Sequence, residues 1–322
     1  MPISRRGLIT AAGATAVGTT GVLTALPAPA NAATRRQLRA AYGVVVHPSW
    51  AKDPMYGQTD RWMGQLADLG VKQIRGLVVP HQQECRRTAR LCRRYGIKWL
   101  MPVVPAWRLT PAQARERVNQ IADGYADVVL GLEGVNEPNN TGARRWARRT
   151  VAIQRAIWEA RNDNPALEGV PVLGPAMHDR VEDVNDGAGY RALARRGIRR
   201  YCDVASLHSY PRGGEVTTGL AERLRLLDIA FKGKPVWITE TGWTTYDGSS
   251  GQRRTTERTA ARHGADAISA IVEHPRVEKA FRYELLDDRG TGSNPESRYG
   301  LIRADWTRKD EYRAVRRALR GR

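Results

Sequence analysis

The chain is poor in the residues that would mark several protein classes. It has three cysteines in 322 residues, Cys85, Cys92 and Cys202, which is too few and an odd number for a disulfide scaffold. Cys85 and Cys92 fall on one predicted helix, seven residues apart, so about 10 Å of axial rise keeps them from bridging. No Cys/His cluster has zinc spacing, and no glycine-rich phosphate loop follows the first predicted strand. Beyond the first thirty-two residues no run is long and apolar enough to span a bilayer. Lysine is scarce as well. Of 52 cationic residues only seven are Lys, so the net charge of +19 is almost wholly arginine. A codon bias toward Arg gives such an imbalance without any function behind it. The arginines are spread through every predicted helix instead of being clustered with aromatics on one face, so the charge alone does not imply nucleic acid.

The first thirty-two residues read as an address. Paired Arg5-Arg6 precede a mildly apolar run, Leu8 to Leu26, which ends in Pro27-Ala28-Pro29-Ala30-Asn31-Ala32. The Ala30-x-Ala32 pattern suits signal cleavage, and the arginine pair resembles a twin-arginine export signal. A membrane anchor fits less well, because Gly, Thr and Pro dilute the run. The expected organisation is a signal over residues 1–32 and a single domain over 33–322, secreted or associated with the cell wall, its net charge lowered to +17.

The expected domain repeats one unit. Apolar, β-branched runs occur at Val44–Val46, Val71–Val79, Ile97–Val104, Val128–Val135, Val170–Leu173, Val204–Leu207, Val236–Thr239 and Ala280–Leu286. Helical patterns lie between them. Thr59 is positioned to cap one that carries Trp62, Leu66 and Leu69 and ends at Gly70. Thr110-Pro111 opens another over Ala112–Ile121, and further helices are expected over Ala143–Arg161 and Thr255–Glu273. Eight strands alternating with helices, at one per roughly 36 residues, predict a single (β/α)8 barrel, with a doubly wound sheet as the alternative.

A barrel of this kind carries its chemistry at the C-terminal ends of the strands. Run four ends in Glu133-Gly134-Val135-Asn136-Glu137-Pro138, and run seven in Thr239-Glu240-Thr241-Gly242-Trp243. Carboxylates closing the fourth and seventh strands would converge across the barrel mouth, and a carboxylate pair is what glycoside hydrolysis uses. Glu133, two pleats before Glu137, is expected as buried ionic support, paired with Arg75.

Asn136-Glu137-Pro138 with Glu240 downstream resembles clan A, the (β/α)8 retaining glycosidases that include family 5 cellulases and family 39 glycosidases. The stretch from Glu133 to Asn139 is most similar to family 39. The resemblance implies that Glu137 is the acid/base, Glu240 the nucleophile, and Asn136 the contact for the sugar 2-hydroxyl. It also gives Arg75, His208 and Tyr210 places in the site. The clan's strand-eight Trp is absent from Phe281-Arg282-Tyr283-Glu284, leaving Tyr283 as the aromatic surface there. Trp243 and His47 are further candidate sugar contacts, as are Trp50 and Trp107 by stacking, whereas Trp146 lies in a helical pattern and is expected in the core.

For double displacement Glu137 must carry a proton, which a nearby ionised Glu240 favours, and the two carboxyl groups should sit about 5–5.5 Å apart. No metal or organic cofactor is needed. The expected protein is thus a monomeric, secreted β-glycoside hydrolase acting on a poly- or oligosaccharide. It has no nucleic-acid partner and no membrane association once the signal is cleaved, and its excess positive charge is left free for anionic wall polymers. The alternatives are a transglycosylase with the same catalytic pair, a catalytically silent carbohydrate-binding barrel, and a secreted polyanion binder. Loops of ordinary length after the strands favour an open cleft over a closed pocket.

Overall fold

The computed structural model describes residues 34–104, 109–178, 187–211, 219–246, 255–287 and 295–321. The expected signal over residues 1–32 lies outside them, as does Trp107.

Eight strands form one parallel sheet: β1 (Tyr42–Val45), β2 (Gln73–Arg75), β3 (Lys98–Val104), β4 (Val129–Val135), β5 (Val172–Leu173), β6 (Ala205–His208), β7 (Val236–Thr241) and β8 (Val277–Arg282). Their spatial order is β5-β4-β3-β2-β1-β8-β7-β6. A parallel bridge from Leu173 to Val204 brings β5 against the chain entering β6 and nearly closes the sheet into a barrel. The strands are buried on both faces, which is why they read in sequence as unbroken apolar runs and not as alternating ones.

Core side chains divide between the inside and the outside of this ring. Inside, Val45, Leu100, Leu173, Val204, Trp237 and Phe281 form one cluster. Gly43 on β1 makes room for it, since a β-carbon there would lie 2.3 Å from the Phe281 ring. Outside, one cluster joins β1–β4 to the helices Thr59–Leu69, Gln83–Tyr95, Pro111–Tyr125 and Asp310–Arg320. A second joins the later strands to Ala188–Ala194 and Leu220–Phe231. All three cysteines are buried as free thiols. Among the described residues no helix is long and apolar enough to cross a membrane.

Local signals set most element ends. The Thr110 side chain accepts from the Gln113 backbone N–H, Gln113 returns the bond, and Pro111 fills the first helical position. Gly70 ends the first outer helix in the left-handed region at φ 88°. Several expected bounds shift. Thr59 is the first helical residue and not the cap, which is Gln58 and makes no side-chain bond. The helix expected from Ala143 starts at Trp146, because Gly142 is left-handed and the chain must turn before the helix begins. Strand two stops at Arg75, so Leu77 and Val79 leave the ladder and line the cleft above it. Strand eight spans Val277–Arg282, earlier than its apolar run, because the charged Glu278, exposed, and Lys279, half-buried over the Trp237 ring, occupy its first pleats and break the run.

The last strand is tied to the last helix by charge. Arg282 donates to both Glu311 carboxylate oxygens, at 2.6 and 2.8 Å, and both residues are buried. Lys309 donates to Asp287 at 2.7 Å in a similarly buried pair. Removing one partner of such a pair strands a charge in low dielectric. Glu311→Ala is expected to destabilise the fold by about 3–5 kcal/mol, read as a fall in the urea midpoint; a change below about 1 kcal/mol would show that the pair contributes little.

Candidate functional site

Four strands supply the centre of the site. Arg75 ends β2, Glu133 lies within β4, His208 ends β6, and Glu240 lies near the end of β7. The Arg75 guanidinium is 3% exposed and joins the others. Its Nε donates to Glu133 Oε2 at 2.6 Å, Nη1 to Glu240 Oε1 at 2.6 Å, and Nη2 to Asn136 Oδ1 at 2.8 Å. Nη2 also lies 3.4 Å from His208 Nε2. Glu133 Oε1 accepts from Ser206, whose hydroxyl is 2.8 Å from that of Thr239. Glu133 therefore serves as the inner counter-charge of Arg75, on the far side from the cleft.

Glu240 has both oxygens satisfied, Oε1 by Arg75 and Oε2 by the Tyr210 hydroxyl at 2.6 Å. Burial alone would raise its carboxyl. The charges of His208 and Arg75, with hydrogen bonds from Tyr210 and Arg75, outweigh this and bring it down to about 2. Burial and the adjacent Glu240 charge push the Tyr210 phenol well above its ordinary range, which keeps it a donor.

Glu137 sits where β4 gives way to the short 3-10 turn Pro138–Thr141, in the left-handed region at φ 46° and ψ 54°. Its N–H is bonded to Ala176 O at 2.9 Å. Its Oε1 is 2.9 Å from His208 Nδ1, which is also 3.5 Å from Glu240 Oε2. Although burial opposes a charged imidazole, the carboxylates of Glu240 and Glu137 raise His208 above its ordinary value. The acceptor atoms of Glu137, His208 and Glu240 all lie within 4.8 Å of one another. That spacing would suit a metal ion, but the Arg75 guanidinium already balances Glu240 at 2.6 Å and its positive charge opposes a cation there.

A cleft crosses the barrel mouth above these groups as two lobes. One, of about 520 Å³, runs over His47, Ser49, Trp50, Leu77 and Gln82 to Arg75 and Glu240. The other, of about 430 Å³, includes Glu137, Asn140, His178, Tyr210, Tyr283 and Glu296. His47, Trp50, Asn136 and Glu240 border both. Trp50 stacks on His47, with ring centroids 3.8 Å apart, and is the one exposed large hydrophobic residue among those described. His47 Nε2 lies 2.9 Å from the buried Glu284 carboxylate, which accepts from Tyr56 at 2.8 Å. The ring of Tyr283 meets those of His47, Tyr210 and Tyr299 edge to face.

Of the eleven residues singled out in the sequence as catalytic or sugar-contacting, nine gather at the cleft: Glu137, Glu240, Asn136, Arg75, His208, Tyr210, Tyr283, His47 and Trp50. Trp107 is outside the described residues. Trp243 does not join them. After Gly242 the chain turns outward, and the Trp243 ring packs 4% exposed beneath Arg282 and beside His263, in the outer core and away from both lobes. Trp146 packs on the same outer cluster. Ser206, Thr239, His178 and Glu284 were not singled out. Ser206 and Thr239 had a signal in the sequence, as polar residues on the inner face of two apolar strands.

A family model described as glycosyl hydrolase catalytic core matches residues 106–301. A search of curated protein sequences finds no match. Among solved structures, a family 39 glycoside hydrolase from the gut symbiont Bacteroides cellulosilyticus WH2 superposes with a TM-score of 0.61 at 17% identity, over 89% of this chain and 64% of its own. A GH2 β-galacturonidase from Eisenbergiella tayi, bound to galacturonate, gives 0.62 at 16%, over 87% and 51%. A Bacteroides uniformis β-glucuronidase gives 0.64 at 16%, over 88% and 35%. The chain thus spans between about one third and two thirds of the length of these proteins, and at such identities the likeness is one of fold.

The depressed Glu240 carboxyl has a measurable sign. Its contribution to stability is fully present above the unfolded carboxyl range near pH ~4.3 and is lost as pH falls toward about 2. In a carboxyl-13C glutamate spectrum, the resonance that Glu240→Gln removes is expected to titrate near pH 2; titration near pH ~4.3 would show that the surrounding cations do not hold it.

Proposed function

The chain belongs to the glycosyl hydrolase catalytic core family and is a glycosidase, and on that footing we propose that it cleaves β-glycosidic bonds of an oligo- or polysaccharide by double displacement with retention of configuration. The carrying observation is that Glu137 and Glu240 bring carboxylate oxygens within 4.8 Å of each other, in contrasting surroundings. A retaining pair sits about 5–5.5 Å apart, whereas an inverting pair needs about 6.5–9.5 Å to admit a water.

Roles follow from the surroundings. Glu240 is held ionised by Arg75, His208 and Tyr210, and it points a charged oxygen into the cleft, as a nucleophile must. Glu137 is more exposed and bonded to a single imidazole through Oε1, so Oε2 is available to carry a proton to the leaving oxygen. In the first step Glu240 bonds to the anomeric carbon as Glu137 protonates the departing glycosidic oxygen. In the second, a water gives its proton to Glu137 and attacks the same carbon, releasing Glu240. The Oδ1 of Asn136 accepts from Arg75, which turns its amide N–H groups toward the sugar 2-hydroxyl. Tyr283 and the Trp50–His47 stack offer faces on which sugar rings can pack.

Two lobes that meet at Asn136 and Glu240 suit a substrate with sugars on either side of the cleaved bond. The Arg5-Arg6 run and Ala30-x-Ala32 support export of residues 33–322, with retention near anionic wall polymers through the arginine surface. A catalytically silent binding barrel is disfavoured by the full set of hydrogen bonds that keep Glu240 charged.

A panel of plant, fungal and bacterial-envelope glycans, with the first-formed anomer followed by proton NMR, tests this reading. Retention is expected, Glu240→Ala should abolish turnover, and Glu137→Ala should slow unactivated substrates by about 10²–10⁴-fold with rescue by azide. Inversion, or activity surviving in both variants, would overturn it.

A further inference from the structure

Glu137 has two carboxylate oxygens, and among the described residues only one of them, Oε1, is in a short side-chain contact. His208 is buried, and the N–H groups on Arg75 Nη2 face its Nε2 at 3.4 Å. Nδ1 faces the carboxylates of Glu137 and Glu240, so it carries a proton in the neutral ring as in the charged one and donates to Glu137 Oε1 at 2.9 Å. An oxygen already receiving that bond is the poorer place for the acid proton. The transferable proton therefore belongs on Oε2.

The neighbour of Oε2 is His178, whose Nε2 lies 4.0 Å away. Its position is built, and built from the same turn that carries Glu137. Asn139, two residues on, takes the His178 backbone N–H on Oδ1 at 2.7 Å and returns Nδ2–H to the His178 carbonyl at 3.1 Å. Ala176 O accepts the Glu137 N–H, and Asn136 bridges Ala176. The ends of β4 and β5 are thus stitched together by several bonds, which hold one imidazole opposite one carboxylate oxygen. Both side chains line the lobe that also holds Asn140, Tyr210 and Glu296, with Glu240, His47 and Tyr283 as its other ionisable groups.

We propose that His178 is a positioning residue for the acid/base, steering Glu137 Oε2 and the proton it carries toward the departing glycosidic oxygen. The proposal rests on the reading of Glu137 as acid/base. On substrate binding the 4.0 Å separation closes to hydrogen-bond distance, as catalytic contacts in an empty site commonly do. The proton passes from Oε2 to the glycosidic oxygen in the first step and from water to Oε2 in the second. His178 neither gains nor loses one over the cycle.

The test compares leaving groups. A dinitrophenolate departs without acid help, whereas a phenolate needs it. Wild type, His178→Ala, His178→Gln and Glu137→Ala are assayed on 2,4-dinitrophenyl and phenyl β-glycosides of glucose, galactose, xylose and mannose. His178→Ala is expected to lose about tenfold more kcat on phenyl than on dinitrophenyl glycosides, part of the 10²–10⁴ available to an acid, with His178→Gln regaining some of it. Equal loss on both leaving groups, or no loss, overturns the role of His178 while Glu137→Ala still discriminates between them. If Glu137→Ala does not discriminate, or wild type hydrolyses none of the glycosides, the reading of Glu137 falls and the proposal with it.

Discussion

One guanidinium organises the site. Arg75 cannot give up its proton, and burial makes an unpaired charge very costly, so every donor it presents must find an acceptor. Those acceptors come from separate strands, Glu133 and Asn136 at β4 and Glu240 at β7, with His208 of β6 lying against the same guanidinium. Glu133 is as important as the cleft residues. Without it Arg75 would balance Glu240 alone; with it, two carboxylates share one cation, and a hydroxyl relay through Ser206 and Thr239 completes the inner one. Of the two carboxylates Glu240 is the one that lines the cleft, where an anomeric carbon developing positive charge would meet it.

Outward from that centre the two carboxylates of the site diverge because their shells differ. Glu240 is wrapped by donors and buried. Glu137 stands at a strand end, more open, with His208 shared between it and Glu240. A single imidazole thus lies within reach of both carboxylates, at 2.9 Å from Glu137 and 3.5 Å from Glu240.

Much of this was legible in the sequence, and the limits have a common cause. The eight strands appear because a parallel sheet buried on both faces demands continuous apolar runs. Glu137 and Glu240 stand out because a carboxylate closing such a run has no packing reason to be there. The pairing of Glu133 with Arg75 follows from period-two alternation along β4. What failed was orientation beyond the last strand residue. Trp243 follows Glu240 by three positions, yet one turn of the chain sends its ring into the outer core against Arg282. His178 escaped notice for the converse reason. It lies 41 positions from Glu137, and only Asn139 and the β4–β5 stitching bring it near. Helix starts slipped by one to three residues where the cap made no side-chain bond, as at Gln58 and Arg145, whereas the capping box at Thr110 fixed its helix entry from local chemistry alone. The exit of that helix, at Tyr125, has no such signal and was expected at Ile121.

The left-handed backbone of Glu137 carries a consequence for how this protein could change. A side chain with a β-carbon held there costs about 1–3 kcal/mol, and the surrounding β4–β5 bonds must hold it in place. The position proposed as the acid/base is therefore one where glycine or asparagine would relax the chain. On that reading, selection for thermal robustness alone would drift toward inactive barrels at this residue, so a search for hardier forms must screen for turnover as well as for melting temperature.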